Sequence, residues 1–155
     1  MGCFFKHMEP AGLKTGRLAL YHELVARTWG RWAVHSETFL DHFQNPRNAG
    51  ELGAPAVTVE VSNPACGDIL RLSARFEGET VAEARFKVRG CTASIAAASA
   101  LTEWMTGRPR AELRGLRVET VEEAVGGLIP ESRHAAVLCV DGVKKLLAAT
   151  ATAGA

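Results

Sequence analysis

The residues best suited to chemistry lie in one short segment, Asn63-Pro64-Ala65-Cys66-Gly67-Asp68. Pro64 and Gly67 favour a turn at this point, so we expect Cys66 and Asp68 to protrude together. A thiolate and a carboxylate that stand two residues apart on a turn can share a metal ion. The segment alone is equally compatible with an ordinary turn that holds a half-buried cysteine and an aspartate bonded to its own backbone.

A second cysteine, Cys91, stands where a strand pattern gives way to a helix pattern. We expect it at or near the helix N terminus, where free N–H groups and the helix dipole stabilise a thiolate. Gly90 permits a tight backbone turn immediately before it. A small core thiol at this junction is the plainer alternative, because cysteine is among the most buried residue types. A hairpin between Cys66 and Cys91 can bring both thiols to one end of a sheet, which favours a shared site.

A third cluster lies at the start of the last predicted helix, with His134 in its first turn and Cys139 five residues further on. A histidine at such a place is more often a solvated cap residue than a ligand. Apolar neighbours, Leu138 and Val140, make a buried core thiol a strong alternative for Cys139. The sequence contains no Cys-x-x-Cys pair, so the separated cysteines indicate a site that the fold must assemble.

Three stretches of the chain alternate apolar and polar residues, at positions 57–61, 70–76 and 84–88. This period of two predicts strands with one buried face and one solvated face. The sequence Glu77-Gly78-Glu79 predicts a tight turn that joins the second and third strands as a hairpin. The three strands are therefore expected to form an antiparallel meander.

Five helical segments are predicted around the strands, over residues 37–43, 92–105, 111–116, 121–125 and 132–149. Ser36 and Thr120 are the expected N-caps of the first and fourth of them. In the first helix, Phe39, Leu40 and Phe43 are expected on the apolar side. Strands followed by helices predict an α+β fold, in which helices pack on one face of a small antiparallel three-stranded sheet.

The composition is that of a globular protein. The 155-residue chain is 47% hydrophobic and 23% charged, with a net charge of +1. Residues 1–35 carry five basic and two acidic residues, whereas the remainder carries 13 basic and 15 acidic residues. Such a slightly acidic body lacks the clustered basic face that nucleic acids require, so no nucleic-acid partner is expected.

The order of the segments predicts one domain with an extension before it and a short tail after it. The irregular pattern of residues 1–35 predicts a variable or disordered extension, residues 36–150 form the domain, and residues 151–155 are expected to be a disordered tail. No apolar run reaches the roughly 18–20 residues of a membrane helix, and the first ten residues lack a secretory signal. We therefore expect a cytoplasmic protein without membrane contact, in which the cysteines are reduced.

Together these segments resemble the family of iron–sulfur cluster assembly scaffolds that comprises IscU, the NifU amino-terminal domain and SufU. The resemblance starts near Ser36 with SETFLDHFQNPRNAG, continues through NPACGD and GCTASIAAAS, and extends through RHAAVLCVDGVKKLL. It covers about 110 residues, which is nearly everything outside the extension. Its most specific part is the combination of ACGD with a GC pair that places Cys91 25 residues after Cys66.

The resemblance implies that Cys66, Asp68 and Cys91 hold a transient [2Fe-2S] cluster, or zinc in its place. It implies a scaffold or carrier rather than an enzyme. Sulfur is expected to arrive from a cysteine desulfurase, and the nascent cluster is expected to pass to apo iron–sulfur acceptor proteins. An IscU/NifU-like fold is implied as well, in a monomer or a homodimer.

The chain departs from the family at a third cysteine, which in the family often follows a histidine at the start of the last helix. His134 matches that histidine, but Ala135 stands at the cysteine position and Cys139 lies four residues later, about one turn along the same helix face. We predict that Cys139 supplies the third thiolate, with His134 as an optional fourth ligand, which requires the helix to shift toward the loops. In the alternatives, His134 completes the site and Cys139 belongs to the core, or the site is incomplete.

Two other functions stay open. One is a zinc-dependent sulfur-transfer protein of the SufU type, in which zinc organises the site and a cysteine carries sulfur. That subfamily usually has an insertion before its final cysteine, and the 48 residues from Cys91 to Cys139 contain no obvious extra block, which favours the IscU-like branch. The other is a degenerate interaction module that keeps the fold and binds no metal.

Overall fold

The computed structural model describes residues 35–153. The predicted extension lies outside these residues except for His35, and residues 154–155 of the predicted tail lie outside them as well. Within the described range, no helix combines the length and the apolar character that crossing a membrane requires.

The chain forms a three-stranded antiparallel sheet and a set of helices. The elements in chain order are α1 (Glu37–Gln44), β1 (Val57–Asn63), β2 (Asp68–Glu77), β3 (Thr80–Arg89), α2 (Thr92–Met105), α3 (Arg110–Arg114), α4 (Val118–Ala124), a 3-10 turn (Pro130–Ser132) and α5 (Arg133–Ala153). The strand order is β1-β2-β3, with α5 packed against β1 and β2 and α2 packed against β3. The predicted α+β class and the antiparallel meander are confirmed.

Alternation along β2 shows why the sheet has one buried face. Leu70 and Leu72 are fully buried, whereas Arg71 between them is exposed and pairs with Glu51 at 2.9 Å. Successive side chains of a strand point to opposite faces, so the helices cover the leucine side and ion pairs remain on the solvated side. The surface pairs themselves stabilise the fold little.

The hairpin between β2 and β3 turns at Gly78, as predicted, and its register determines what meets at the opposite end of the sheet. Ile69 pairs with Arg89, so the beginning of β2 lies beside the end of β3. Asp68, the first residue of β2, pairs with Asn63 on β1. The loop after β1, the start of β2 and the exit from β3 therefore share one edge.

Helix α2 is the element around which the other helices pack. Ten of its 14 residues are buried, and it contacts α1, β3, α4 and α5. A helix that is buried nearly all round must be apolar or small on every side, which its alanine-rich sequence satisfies. Because α2 is enclosed, its first residue is held in a defined position relative to the sheet.

Helix α1 is capped as predicted, but its buried side differs from the prediction. The Oγ of Ser36 accepts a hydrogen bond of 3.1 Å from the backbone N–H of Phe39. Leu40, which we expected on the apolar side, is 41% exposed, whereas His42 is buried. Phe39, His42 and Phe43 follow the helical spacing of three and four residues, so the core selects this stripe.

The three later helices also differ in their bounds, and α3 covers Arg110–Arg114 where residues 111–116 were predicted. Helix α4 begins at Val118 after Arg117, so the prediction of Thr120 as its N-cap was wrong. Because the helix starts at Val118, this residue stands three positions before Val121, and the side chains of both pack on the core. Helix α5 continues through Ala153, beyond residue 149, where the sequence pattern predicted its end.

His42 joins α1 to α2 through a buried hydrogen-bond network. Its Nδ1 lies 2.9 Å from the Oγ of Ser99, which also accepts a bond of 2.8 Å from the backbone N–H of Arg47. Burial lowers the pKa of His42 below its ordinary 6.5, and the nearby charge of Arg47 lowers it further, whereas Glu103 opposes the shift. The folded chain therefore favours the neutral imidazole.

We predict that His42 makes the domain less stable in mild acid. Because its pKa is lower in the folded chain, the unfolded chain binds this proton more readily, and the free energy of unfolding should decline as the pH falls below 6.5. Well above that pH, where the imidazole is neutral in both the folded and the unfolded chain, the residue should contribute no pH dependence. Urea unfolding should be measured at about pH 7.5 and about pH 5.5. Between these two values, the free energy of unfolding should fall more for the wild type than for His42→Gln.

His35→Gln is the matched control for that experiment, since this histidine stacks on Phe39 from outside the Ser99 network. It should retain the wild-type loss of stability. If His42→Gln and the wild type lose the same free energy of unfolding, His42 is not the group responsible.

Candidate metal centre

The loop between β1 and β2 presents Cys66 to solvent. Asn63 shapes this loop, since its Oδ1 accepts from the N–H of Ala65 at 3.0 Å and its carbonyl accepts from the N–H of Gly67 at 2.8 Å. Gly67 has a φ of +75°, a left-handed conformation that glycine adopts without strain. The predicted turn is confirmed, and the Cys66 side chain is exposed.

Asp68 follows directly and is buried, with 4% of its surface exposed. Its Oδ2 accepts a hydrogen bond from the Oγ of Ser94, and it lies 3.4 Å from the Sγ of Cys91 and 3.5 Å from the Nε2 of His134. Burial raises the pKa of Asp68, but the hydrogen bonds from Ser94 and Cys91 and the neighbouring His134 outweigh it and hold the pKa below its usual value. The carboxylate is therefore ionised near neutral pH, as a metal ligand must be.

Gly90 leaves the space in which this carboxylate lies. A Cβ atom at Gly90 would stand 2.6 Å from both the Cγ and the Oδ1 of Asp68. No ordinary pair of such atoms approaches so closely, so any larger residue at this position would displace the carboxylate. Gly90 therefore has two roles: it leaves space for the carboxylate of Asp68 on the neighbouring strand, and it permits the turn into α2.

Cys91 is the N-cap residue of α2, which confirms the predicted junction of strand and helix. Its carbonyl accepts from the N–H groups of Ser94 and Ile95 at 3.1 and 3.2 Å, which begins the helix. Its exposed Sγ lies 3.4 Å from Oδ2 of Asp68 and 3.6 Å from Nε2 of His134. Cys91 is therefore not a small core thiol, which was the alternative interpretation of its place between strand and helix.

His134, the second residue of α5, is oriented by a backbone contact. Its Nδ1 lies 2.9 Å from the carbonyl oxygen of Glu131. A carbonyl only accepts hydrogen bonds, so Nδ1 carries the proton, and in the neutral ring Nε2 has a free lone pair. That lone pair points toward Asp68 and Cys91. Histidines that bind metal ions commonly have their second ring nitrogen bonded in this way.

These four side chains meet at one edge of the sheet. The ligand atoms of Cys66, Asp68 and His134 lie within 4.8 Å of one another, and Cys91 adjoins Asp68 and His134. Two sulfurs, one carboxylate oxygen and one imidazole nitrogen present electron pairs to a common space. This mixture of sulfur, nitrogen and oxygen suits zinc or an iron–sulfur cluster, so the residues present fit such a group.

Cys139 is not brought to this cluster. It is 1% exposed within the hydrophobic core, and burial raises the pKa of its thiol to about 12. Ala135, at the position of the family's third cysteine, is also fully buried. The helix shift that a ligand role for Cys139 requires is not seen, so that role stays a prediction. The placement favours the alternative in which His134 completes the site.

Ser94 is the residue of this cluster that the sequence analysis missed. It stands three residues after Cys91, and the helical period returns a residue at that spacing to the same side of the helix. That spacing was a usable signal. The carbonyl of Glu131, in contrast, left no signal in the sequence, because any residue at that position supplies a carbonyl.

The fold and the site define a class: an α+β domain whose meander sheet carries a cluster of two cysteines, an aspartate and a histidine at one edge. Residues 34–151 match the family described as the NifU-like N terminal domain, and the chain belongs to this family. The predicted resemblance is confirmed by this match.

Individual relatives agree with the family. The chain is 40% identical over 115 residues to the iron–sulfur cluster assembly scaffold protein IscU of Azotobacter vinelandii, which covers 72% of this chain and 89% of that protein. It is 35% identical over 119 residues to the protein of the same name from Escherichia coli K12, covering 74% of this chain and 92% of that protein.

Solved structures show a similar fold. One is a SUF-system iron–sulfur cluster assembly scaffold protein from Fervidobacterium islandicum, with a TM-score of 0.58, 18% identity, and coverage of 72% of this chain and 95% of the other. A second is the N-terminal part of a NifU-like protein from Brucella abortus, with a TM-score of 0.51, 21% identity, and coverage of 72% and 78%. At these identities the likeness concerns the fold alone.

We predict that Gly90→Ala weakens metal binding by pushing the Asp68 carboxylate aside. A competition titration with a chelator should show zinc affinity at least about tenfold below that of the wild type, the size of effect expected when a ligand is misplaced. Gly53→Ala is the control, because no atom lies within 4 Å of a Cβ built at Gly53. Equal zinc affinities for Gly90→Ala and the wild type would show that the carboxylate has room to adjust.

Proposed function

We propose that this protein is an iron–sulfur cluster assembly scaffold, which holds a nascent cluster at Cys66, Asp68, Cys91 and His134 and releases it to acceptor proteins. One observation carries the proposal: these four side chains converge at one edge of the sheet. The family supports it, since the relatives from Azotobacter vinelandii and Escherichia coli are named as scaffolds of this kind.

The number of ligands suits a two-iron cluster as the cargo. A [2Fe-2S] cluster has four terminal ligand positions, and Cys66, Asp68, Cys91 and His134 would fill them. Imidazole nitrogen serves as a cluster ligand in some iron–sulfur proteins, where two histidines replace two cysteines on one iron. Zinc takes the same ligand types in tetrahedral geometry, so it would compete for the site.

The chemistry of the ligands favours release as well as binding. Thiolates are the soft ligands that iron–sulfur clusters prefer, whereas a carboxylate is hard and an imidazole is intermediate. A site with two thiolates therefore holds a cluster less firmly than one with four. The exposure of Cys66 and Cys91 leaves both sulfurs open to the thiols of an acceptor protein.

Sulfur supply depends on the same exposed thiols. We infer that the terminal sulfur of a desulfurase persulfide passes to Cys66 or Cys91. The thiolate attacks that sulfur, a new S–S bond forms, and the S–S bond of the donor breaks as its thiolate leaves. A thiol reductant, for example excess free cysteine, then supplies the two electrons: two of its thiols are oxidised to a disulfide, sulfide is released and the protein thiol is regenerated. Cys139 is buried and its thiol pKa is raised to about 12, so it is poorly suited to this step.

Anaerobic reconstitution with ferrous iron, cysteine and a cysteine desulfurase tests the function. The wild type should acquire visible absorption and bind iron and sulfide in equal amounts, and the cluster should pass to an apo-ferredoxin. Cys66→Ser and Cys91→Ser should each lose most of the bound iron and sulfide. Binding of zinc with sulfur transfer and no cluster would indicate a SufU-type function, and binding of no metal would indicate an interaction module.

The same assay separates the two candidates for the last ligand. We predict that His134→Ala binds far less iron and sulfide than the wild type, because Nε2 of His134 faces Asp68 and Cys91. Cys139→Ala should bind a full cluster and lose about 1 kcal/mol of unfolding free energy, through the small cavity that it leaves. A folded Cys139→Ala that binds no cluster would reverse this assignment and restore Cys139 as the third thiolate.

A further inference from the structure

Ser94 is a buried polar residue at the edge of the metal centre. It lies in the first turn of α2 and is 1% exposed. Its Oγ donates a hydrogen bond to Oδ2 of Asp68 and lies 3.4 Å from the Sγ of Cys91. One hydroxyl group thus contacts two of the four ligands in the proposed site, and those ligands come from different elements of the fold.

The helix itself does not require a hydroxyl at this position. Cys91 is the N-cap of α2, and Ser94 directs its hydroxyl to Asp68. The surrounding positions of α2 carry buried alanines, and alanine has a higher helix propensity than serine. What the hydroxyl adds to the structure is therefore its contact with the carboxylate.

Asp68 needs such a contact because its carboxylate can rotate. The terminal torsion of aspartate is broad, so packing and hydrogen bonds decide where each oxygen lies. The Oδ2 that Ser94 holds is the oxygen nearest to Cys91 and His134, at 3.4 and 3.5 Å. Gly90 leaves room on the other side, beside Oδ1. A hydroxyl that donates to an ionised carboxylate forms one of the stronger hydrogen bonds in proteins.

We propose that Ser94 is a positioning residue of the metal centre. Its hydroxyl holds Oδ2 of Asp68 toward Cys91 and His134, so that the ligands are in place before a metal arrives. Ser94 does not bind the metal itself. This inference rests on the proposed function, since it assigns a role at the same site.

Cobalt(II) is the probe for the test, because its visible bands report the arrangement of its ligands and competition with a chelator gives its affinity. In the full chain, Ser94→Ala should bind cobalt about tenfold or more weakly than the wild type, with altered visible bands. Ser99→Ala is the control. It removes a buried hydroxyl from the same helix, but one that bonds to His42 and to the backbone of Arg47. Its cobalt affinity and bands should match the wild type.

A double-mutant cycle shows whether Ser94 acts through Asp68. Once Asp68→Ala has removed the carboxylate, the addition of Ser94→Ala should lower cobalt affinity by less than about twofold. A further tenfold loss in that background would overturn the proposal, as would a Ser94→Ala single variant with wild-type affinity and bands. Either result would leave the proposed function intact, provided that the wild type binds a cluster. A wild type that binds neither cobalt nor a cluster would overturn both.

Discussion

A buried negative charge, the carboxylate of Asp68, is the constraint on which the architecture around the site depends. An ionised group at 4% exposure is stable only if donors and cations surround it. Ser94 and Cys91 at the start of α2 supply the donors. His134 at the start of α5 adds a positive charge beside the carboxylate only when its ring is protonated. Gly90 at the exit from β3 supplies the space. The beginnings of a strand and two helices must therefore meet at this edge of the sheet.

The site combines a buried carboxylate with two exposed thiols. This combination suits the proposed role, in which a cluster is held and then released. Asp68 is enclosed, while Cys66 and Cys91 are exposed. A structural zinc site is normally closed, with all four ligands holding the metal permanently. In the proposed scaffold, the two thiolates expected to bind most firmly are the exposed ones, which a sulfur donor or an acceptor thiol could reach.

The departure from the family pattern lies in the last helix, where Ala135 occupies the position of a third cysteine. The helix does not shift to present Cys139, which is instead packed in the core. Nε2 of His134 already faces the site, held there by the carbonyl of Glu131. A site with fewer thiolates and a nitrogen ligand carries less negative charge, and we expect it to hold iron less firmly.

Periodicity and turn chemistry determined the strands, the Gly78 hairpin and the junction at Cys91, because each depends on residues that are close in sequence. The hairpin alone was enough to predict that Cys66 and Cys91 share one edge. The burial of Cys139, the exposure of Leu40 and the contact of Ser94 with Asp68 were decided only by the tertiary structure. A helix pattern indicates which stripe can be buried, but neighbouring elements determine how far the helix rotates and which side chains then meet.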